Sequence, residues 1–175
     1  GAMADGPSAL VGVAIGSEAL YAALDNPHFQ FRPISQTHDL KILGQIERLV
    51  TINSALEADL FGQVYAEISP KGAMSGPGGA SDYARGGRLS PNGLRIIAFP
   101  ASAANGAVSR IISPFDATGP VSLSRWDVDL IVTEHGVADM RGKGYDARAE
   151  ALIAIADPAH QDALTGKWRE IAARL

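Results

Sequence analysis

Apolar residues gather into short runs, and the spacing inside each run predicts its local structure. Residues 9–15, Ala-Leu-Val-Gly-Val-Ala-Ile, form the continuous apolar run that a buried strand requires. Ser17 then caps a helix with Leu20, Tyr21 and Leu24 on one face, and Asn26-Pro27 ends it. Residues 29–34 alternate as a second strand. A helix over 39–48 starts at Asp39 and buries Leu40, Leu43 and Ile46. Residues 49–56 are apolar and β-branched, with Asn53 and Ser54 set into them. Gly62 turns the chain into a return strand over 64–68, and Glu57 and Asp59 are expected on that hairpin, facing solvent or a basic neighbour. Residues 94–99 and 126–133 carry the strongest strand signals and are expected at the centre of a sheet, with a further strand over 107–112. A turn of helix is expected after Thr133-Glu134-His135-Gly136. Two helices close the chain: 145–156, with Leu152, Ile153 and Ile155 inward and Arg148 and Glu150 outward, and 158–175, divided from it by Asp157-Pro158.

Strands and helices interleave throughout. That order predicts an α/β fold: an open, largely parallel sheet with helices on both faces. Its polar clusters follow strand ends, where open α/β sheets bind ligands. The 175 residues suit one domain or one half of a two-domain protein, and 46% hydrophobic residues suffice for a core. Gly1-Ala2-Met3 has the look of a cloning scar, leaving 4–175 as the domain. A net charge of −4 offers no footprint for nucleic acid or an anionic membrane surface, and no apolar run has the length of a membrane helix. The absence of cysteine excludes disulfides, a thiolate metal site and a cysteine nucleophile, and fits the cytoplasm. No metal is expected.

The stretch 74–88, Met-Ser-Gly-Pro-Gly-Gly-Ala-Ser-Asp-Tyr-Ala-Arg-Gly-Gly-Arg, stands apart. Such a loop brings bare main-chain N–H groups close to a ligand, and Asp82 and Arg85 at i, i+3 suit a helix start. A glycine loop running into a helix can hold a phosphate or a developing oxyanion. Composition alone leaves a flexible surface turn equally open. Neither the dinucleotide-binding glycine fingerprint nor the phosphate loop with its Gly-Lys-Ser/Thr is present.

Three further clusters join this loop: Asn53-Ser54-Ala55-Leu56-Glu57-Ala58-Asp59, Ser109-Arg110-Ile111-Ile112, and Thr133-Glu134-His135-Gly136-Val137-Ala138-Asp139. In order and spacing, from about residue 16 to residue 164, they resemble the C-terminal half of the acetyl-CoA hydrolase/transferase family, of the 4-hydroxybutyrate and succinyl-CoA:acetate CoA-transferase type. The resemblance implies a two-domain α/β protein whose substrates are coenzyme A thioesters and small carboxylates. A glutamate attacks the thioester, a glutamyl-CoA thioester forms, and a carboxylate or water completes the exchange. Carried onto this chain, it implies Gly79 as an oxyanion donor, Asn53 beside the reacting carboxylates and Glu134 facing the site. It places Gly76, Gly78, Gly79 and Arg95 against CoA. Other roles are open for two of them: Asn53 could tie strands together, and Glu134 could pair with Arg110 or Arg141.

The chain also departs from the family pattern. The nucleophilic glutamate of the family lies in a Gly-x-His-Ser-Glu type motif well upstream of the asparagine, and Glu18 lies too close to Asn53 to be it. Glu18 is therefore read as an exposed helix residue. Leu94 stands where the family has lysine, so any phosphate contact falls to Arg95 or Arg88. The expectation is half of a transferase or hydrolase, needing an N-terminal half or a second copy as partner. The alternative is a non-catalytic acyl-CoA-binding or partner-binding module of the same fold.

Overall fold

The computed structural model describes residues 9–69, 72–76 and 78–175; the expected scar at 1–3 lies outside them. In chain order the elements are β1 Ala9–Val11, α1 Glu18–Ala23, β2 Phe29–Phe31, α2 Ile34–Thr37, α3 Leu40–Gln45, β3 Val50–Asn53 and β4 Glu57–Asp59. Then come β5 Val64–Tyr65, β6 Ile68–Ser69, β7 Gly72–Ala73, α4 Ala80–Leu89, β8 Leu94–Ala98, β9 Ser102–Ala103 and β10 Val108–Ser109. The chain ends with β11 Ile111–Ile112, β12 Leu130–Thr133, β13 Gly136–Asp139, α5 Tyr145–Ala154 and α6 Pro158–Ala172.

The main sheet runs β13-β12-β8-β3. β3, β8 and β12 are mutually parallel, and β13 adds as an antiparallel edge. The two apolar runs expected at the centre, β8 and β12, are the central strands. Where a turn of helix was expected after residue 136, Gly136 instead opens β13. The reason is pairing: Thr133 faces Gly136 across a tight hairpin, and Val132 faces Val137.

One face of this sheet is the more deeply buried. Thr51, Ile97, Ile131, Thr133 and Ala138 are buried on one face, under α4 and α5. Gly86 and Gly87 make the close approach of α4 possible: a Cβ at Gly86 would lie 2.6 Å from Leu43 Cβ, and one at Gly87 3.0 Å from Arg95 Cγ. Thr133 Oγ1 donates to the Ile155 carbonyl at 2.6 Å and ties the end of α5 to β12. On the opposite face Ile52 is 68% exposed and Val137 59%, while Ile96 and Val132 are half-buried.

A second sheet, β11-β4-β5, stands beside the first. Leu60, Val64, Ile111, Met140 and Leu152 are fully buried in a core shared by the two sheets with α5 and α6. Asp157 caps α6 by accepting from Ala159 N–H at 3.1 Å, with Pro158 in the first turn. Arg148, expected outward, is only 6% exposed. Its guanidinium donates to the carbonyls of Lys143, Phe61 and Arg125, and it lies over the Trp126 ring. Burial without a paired acid pulls its pKa below the usual guanidinium value, an effect that Arg125 reinforces.

Candidate functional site

The parallel strands β3, β8 and β12 all end at one edge of the sheet, and the polar clusters lie along that edge. A cavity of about 690 Å³ opens beside the end of β3. One wall is the segment from Asn53 to Leu56; another is the glycine loop, with Met74, Ser75, Gly76, Gly78, Gly79 and Ala80; Arg110 completes the lining. Thus Asn53, Gly76, Gly78 and Gly79, distant in sequence, meet at one cavity.

Gly79 is the residue before α4. Its N–H has no hydrogen-bond partner among the described residues, and no side chain caps the helix. The first turn of α4 therefore presents open N–H groups at the positive end of its dipole, beside the cavity. Gly78 adopts φ +56°, left-handed backbone that suits glycine. Gly79 is required for a different reason: a Cβ there would lie 2.0 Å from His38 Nε2. The His38 ring stacks edge-on against Tyr83, with centroids 4.8 Å apart, and its Nδ1 pairs with Thr37 Oγ1 at 2.8 Å. This ring backs the glycine from outside the cavity. Asp82 and Arg85 make no side-chain hydrogen bond to the loop among the described residues.

Asn53 ends β3 half-buried, and its carboxamide has no partner among the described residues; it does not tie strands together. Glu134 lies at the same sheet edge, two strands away, in the β12–β13 turn. It does not line the cavity. Its carboxylate accepts from Ala101 N–H at 2.8 Å, and this bond, with one from its own backbone N–H, holds its pKa below the usual carboxylate value. Ala101 in turn accepts from Arg110 N–H, so Glu134 and the cavity share one backbone segment. Arg95 lies elsewhere. It starts β8 at the opposite end of the strand, where Asp129 takes its Nε at 2.9 Å and its Nη2 at 2.6 Å, and the Trp126 carbonyl takes Nη1. A guanidinium so engaged holds β8 to the segment before β12, and Arg95 is not among the described residues lining the cavity. Exposed Glu18 sits in the first turn of α1, as expected.

Two acids behave differently from the expected hairpin positions. Asp59 is fully buried and accepts from the N–H groups of Phe61 and Gln63, from Gln63 Nε2 and from Tyr65 Oη. Burial, then the bond to Asp59, pushes the Tyr65 hydroxyl well above its ordinary pKa. Asp59 thus builds the β4–β5 turn. Burial likewise raises the Glu57 carboxyl, with Arg110 opposing, and Glu57 Oε1 is buried without a hydrogen-bond partner. Arg110, which the sequence offered within the Ser109-Arg110-Ile111-Ile112 cluster and as a possible partner of Glu134, instead lines the cavity. Among the described residues, no cluster of three or more His, Asp or Glu is placed to hold a metal.

The model of the acetyl-CoA hydrolase/transferase C-terminal domain matches residues 16–168. The chain belongs to that family. It is 37% identical to the 4-hydroxybutyrate coenzyme A transferase of Clostridium kluyveri over 157 residues, 89% of this chain and 37% of that relative. With the succinyl-CoA:cyclohexane-1-carboxylate CoA transferase of Geobacter metallireducens it shares 36% identity over 90% of this chain and 36% of the relative. RipA from Yersinia pestis superposes with a TM-score of 0.83 at 35% identity, over 93% of this chain and 37% of that one. The 4-hydroxybutyrate CoA-transferase from Porphyromonas gingivalis gives 0.73 at 36% identity, over 95% and 37%. This chain of the acetyl-CoA hydrolase/transferase family therefore spans a little over a third of each. It has no described helix long and apolar enough to cross a membrane.

Proposed function

We propose that this chain is the C-terminal part of a cytoplasmic enzyme that moves CoA between acyl-CoA thioesters and small carboxylates, or hydrolyses an acyl-CoA. The observation that carries the reading is the meeting of two polar groups without partners among the described residues, the Asn53 carboxamide and the Gly79 N–H, on one cavity at the carboxyl edge of a parallel sheet. When a nucleophile adds to a thioester carbonyl, negative charge develops on its oxygen. A fixed N–H at the start of α4 stabilises that charge without reorganising, because no internal bond has to be broken first. Asn53 donates to, or accepts from, the reacting carboxylate from the other wall. Glu134, anchored on Ala101, holds the adjoining segment at the sheet edge and is placed to meet substrate only once the cleft is assembled. The attacking glutamate comes from outside this chain, as does the second wall of the cleft, supplied by an N-terminal half or a second copy.

The deciding experiment uses the full-length protein that carries this domain. Asn53→Ala is expected to lower kcat about 10²-fold, the scale of one lost transition-state hydrogen bond, with an unchanged melting temperature. Turnover within twofold of the parent would refute the assignment. The 175-residue chain alone is expected to show no CoA transfer above background.

A further inference from the structure

The cavity contains one charge. Among its described lining residues only Arg110 is ionised, and the rest offer amide, hydroxyl, main-chain or apolar groups. Arg110 sits at the joint between β10 and β11, where its N–H donates to the Ala101 carbonyl and its own carbonyl accepts from Ala58 N–H. Its side chain is held as firmly. Nε donates to the Leu56 carbonyl at 2.7 Å and Nη2 to the Ala55 carbonyl at 3.3 Å, while the guanidinium lies 5.9 Å from the centroid of the Phe99 ring. Nη1 and the second hydrogen of Nη2 have no partner among the described residues. No carboxylate comes within ion-pair distance of Arg110 there. Glu57 feels its charge, while burial pushes the Glu57 carboxyl above the usual carboxylate value.

We propose that Arg110 is the specificity-determining residue of this cavity and binds the carboxylate group of the free-acid substrate. The inference rests on the transferase reading above and adds to it the group that tells an acid from its uncharged analogues. An arginine already fixed by two carbonyls and a ring loses little side-chain freedom on binding an anion. Its unused N–H groups form one side of the guanidinium fork, the geometry that suits a carboxylate. The open N–H groups at the start of α4 add positive potential from the facing wall. Leu56 and Met74, which also line the cavity, provide an apolar wall for a short alkyl chain. A phosphate group of CoA would use the same donors but not that wall, so the two sources of anion are separable.

The test is a nuclear magnetic resonance titration of the isotope-labelled 175-residue chain with butyrate, butyramide, inorganic phosphate and butyryl-CoA. Butyrate is expected to shift the Arg110 guanidinium N–H signals and the Gly79 amide together and saturably; butyramide is expected to shift neither. Arg110→Gln should weaken butyrate at least about tenfold, the scale of a lost charge-assisted hydrogen bond, and Arg110→Lys should restore part of the loss. Equal binding of butyramide, undiminished binding to Arg110→Gln, or a response to phosphate but not butyrate each overturns the inference. If Arg110→Gln does not fold, the guanidinium signals of the parent chain decide the question on their own. Butyryl-CoA shifting the cavity amides while butyrate does not would remove this inference and leave the proposed function standing. Silence from both would overturn this inference, and the full-length Asn53→Ala assay would still decide the proposed function.

Discussion

At the scale of single residues, what surrounds a group decides its role more than its type does. Gly79 illustrates this. Oxyanion donation needs only its N–H, yet no other residue fits, because His38 occupies the space of a Cβ. Gly79→Ala is expected to destabilise the chain by about 1–3 kcal/mol, the usual cost of overpacking. Adding His38→Ala should recover most of that loss in urea unfolding; no recovery would mean that the backbone, not the ring, makes the demand. Glu57 gives a test in pH. Its folded pKa is raised, so its contribution to stability is complete below the unfolded carboxylate value near 4 and is lost as pH rises through the folded value. Glu57→Gln is therefore expected to raise the melting temperature by a few degrees at pH 7 and leave it unchanged at pH 4. A rise at both pH values would point to packing rather than charge.

At the scale of elements, the pairings at the two ends of β8 do different work. At its start, Arg95 and Asp129 are an ion pair with side chains 14% and 7% exposed, and Asp129 also accepts from Arg95 N–H. Removing one partner leaves a buried charge uncompensated. Arg95→Met is expected to cost about 3 kcal/mol, read from chemical denaturation; a loss below about 1 kcal/mol would show the pair to be solvated. Beyond its other end, Ala101 joins Glu134 on one side and Arg110 on the other. The contrast follows from the sheet: parallel strands bring their carboxyl ends together, and loops there are free to diverge into a site while the amino ends are tied down. α4 serves both purposes. Gly87 lets it lie close on Thr51 of β3 and Arg95 of β8, Gly86 lets it lie close on Leu43 of α3, and its open first turn stands at the cavity.

At the scale of the whole molecule, the main sheet is buried on one face and, among the described residues, shows apolar side chains on the other. Val50, Ile52 and Val137 stand exposed on the other, with Leu94, Ile96 and Val132 half-covered between them. Large exposed apolar patches commonly mark contact surfaces. The chain at micromolar concentration is expected to self-associate, or to be soluble only with a companion domain. Light scattering would check this, with Ile52→Lys expected to shift the population to monomer without lowering the melting temperature. A strict monomer in the parent chain would show that the face tolerates water.

Local patterns in the sequence determined which segments would be strands and helices, because side-chain periodicity and caps act within a few residues. The runs at β8 and β12, the cap at Ser17, the Asp157-Pro158 start of α6 and the gathering of polar clusters after strand ends were all legible there. Asn53 and the glycine loop also stood out there, by residue types that fit poorly in a strand or a plain turn. Tertiary structure alone decided the rest, because partners distant in sequence set burial and charge. Asp59 turned inward because four donors from its own hairpin converge on it. Arg148 could be buried because three carbonyls from separate segments accept from it. Arg95 is engaged away from the cavity because Asp129 lies across from it, 34 residues along the chain. Arg110 entered the cavity because β11 pairs with β4, a parallel match between segments about 50 residues apart that no periodicity records.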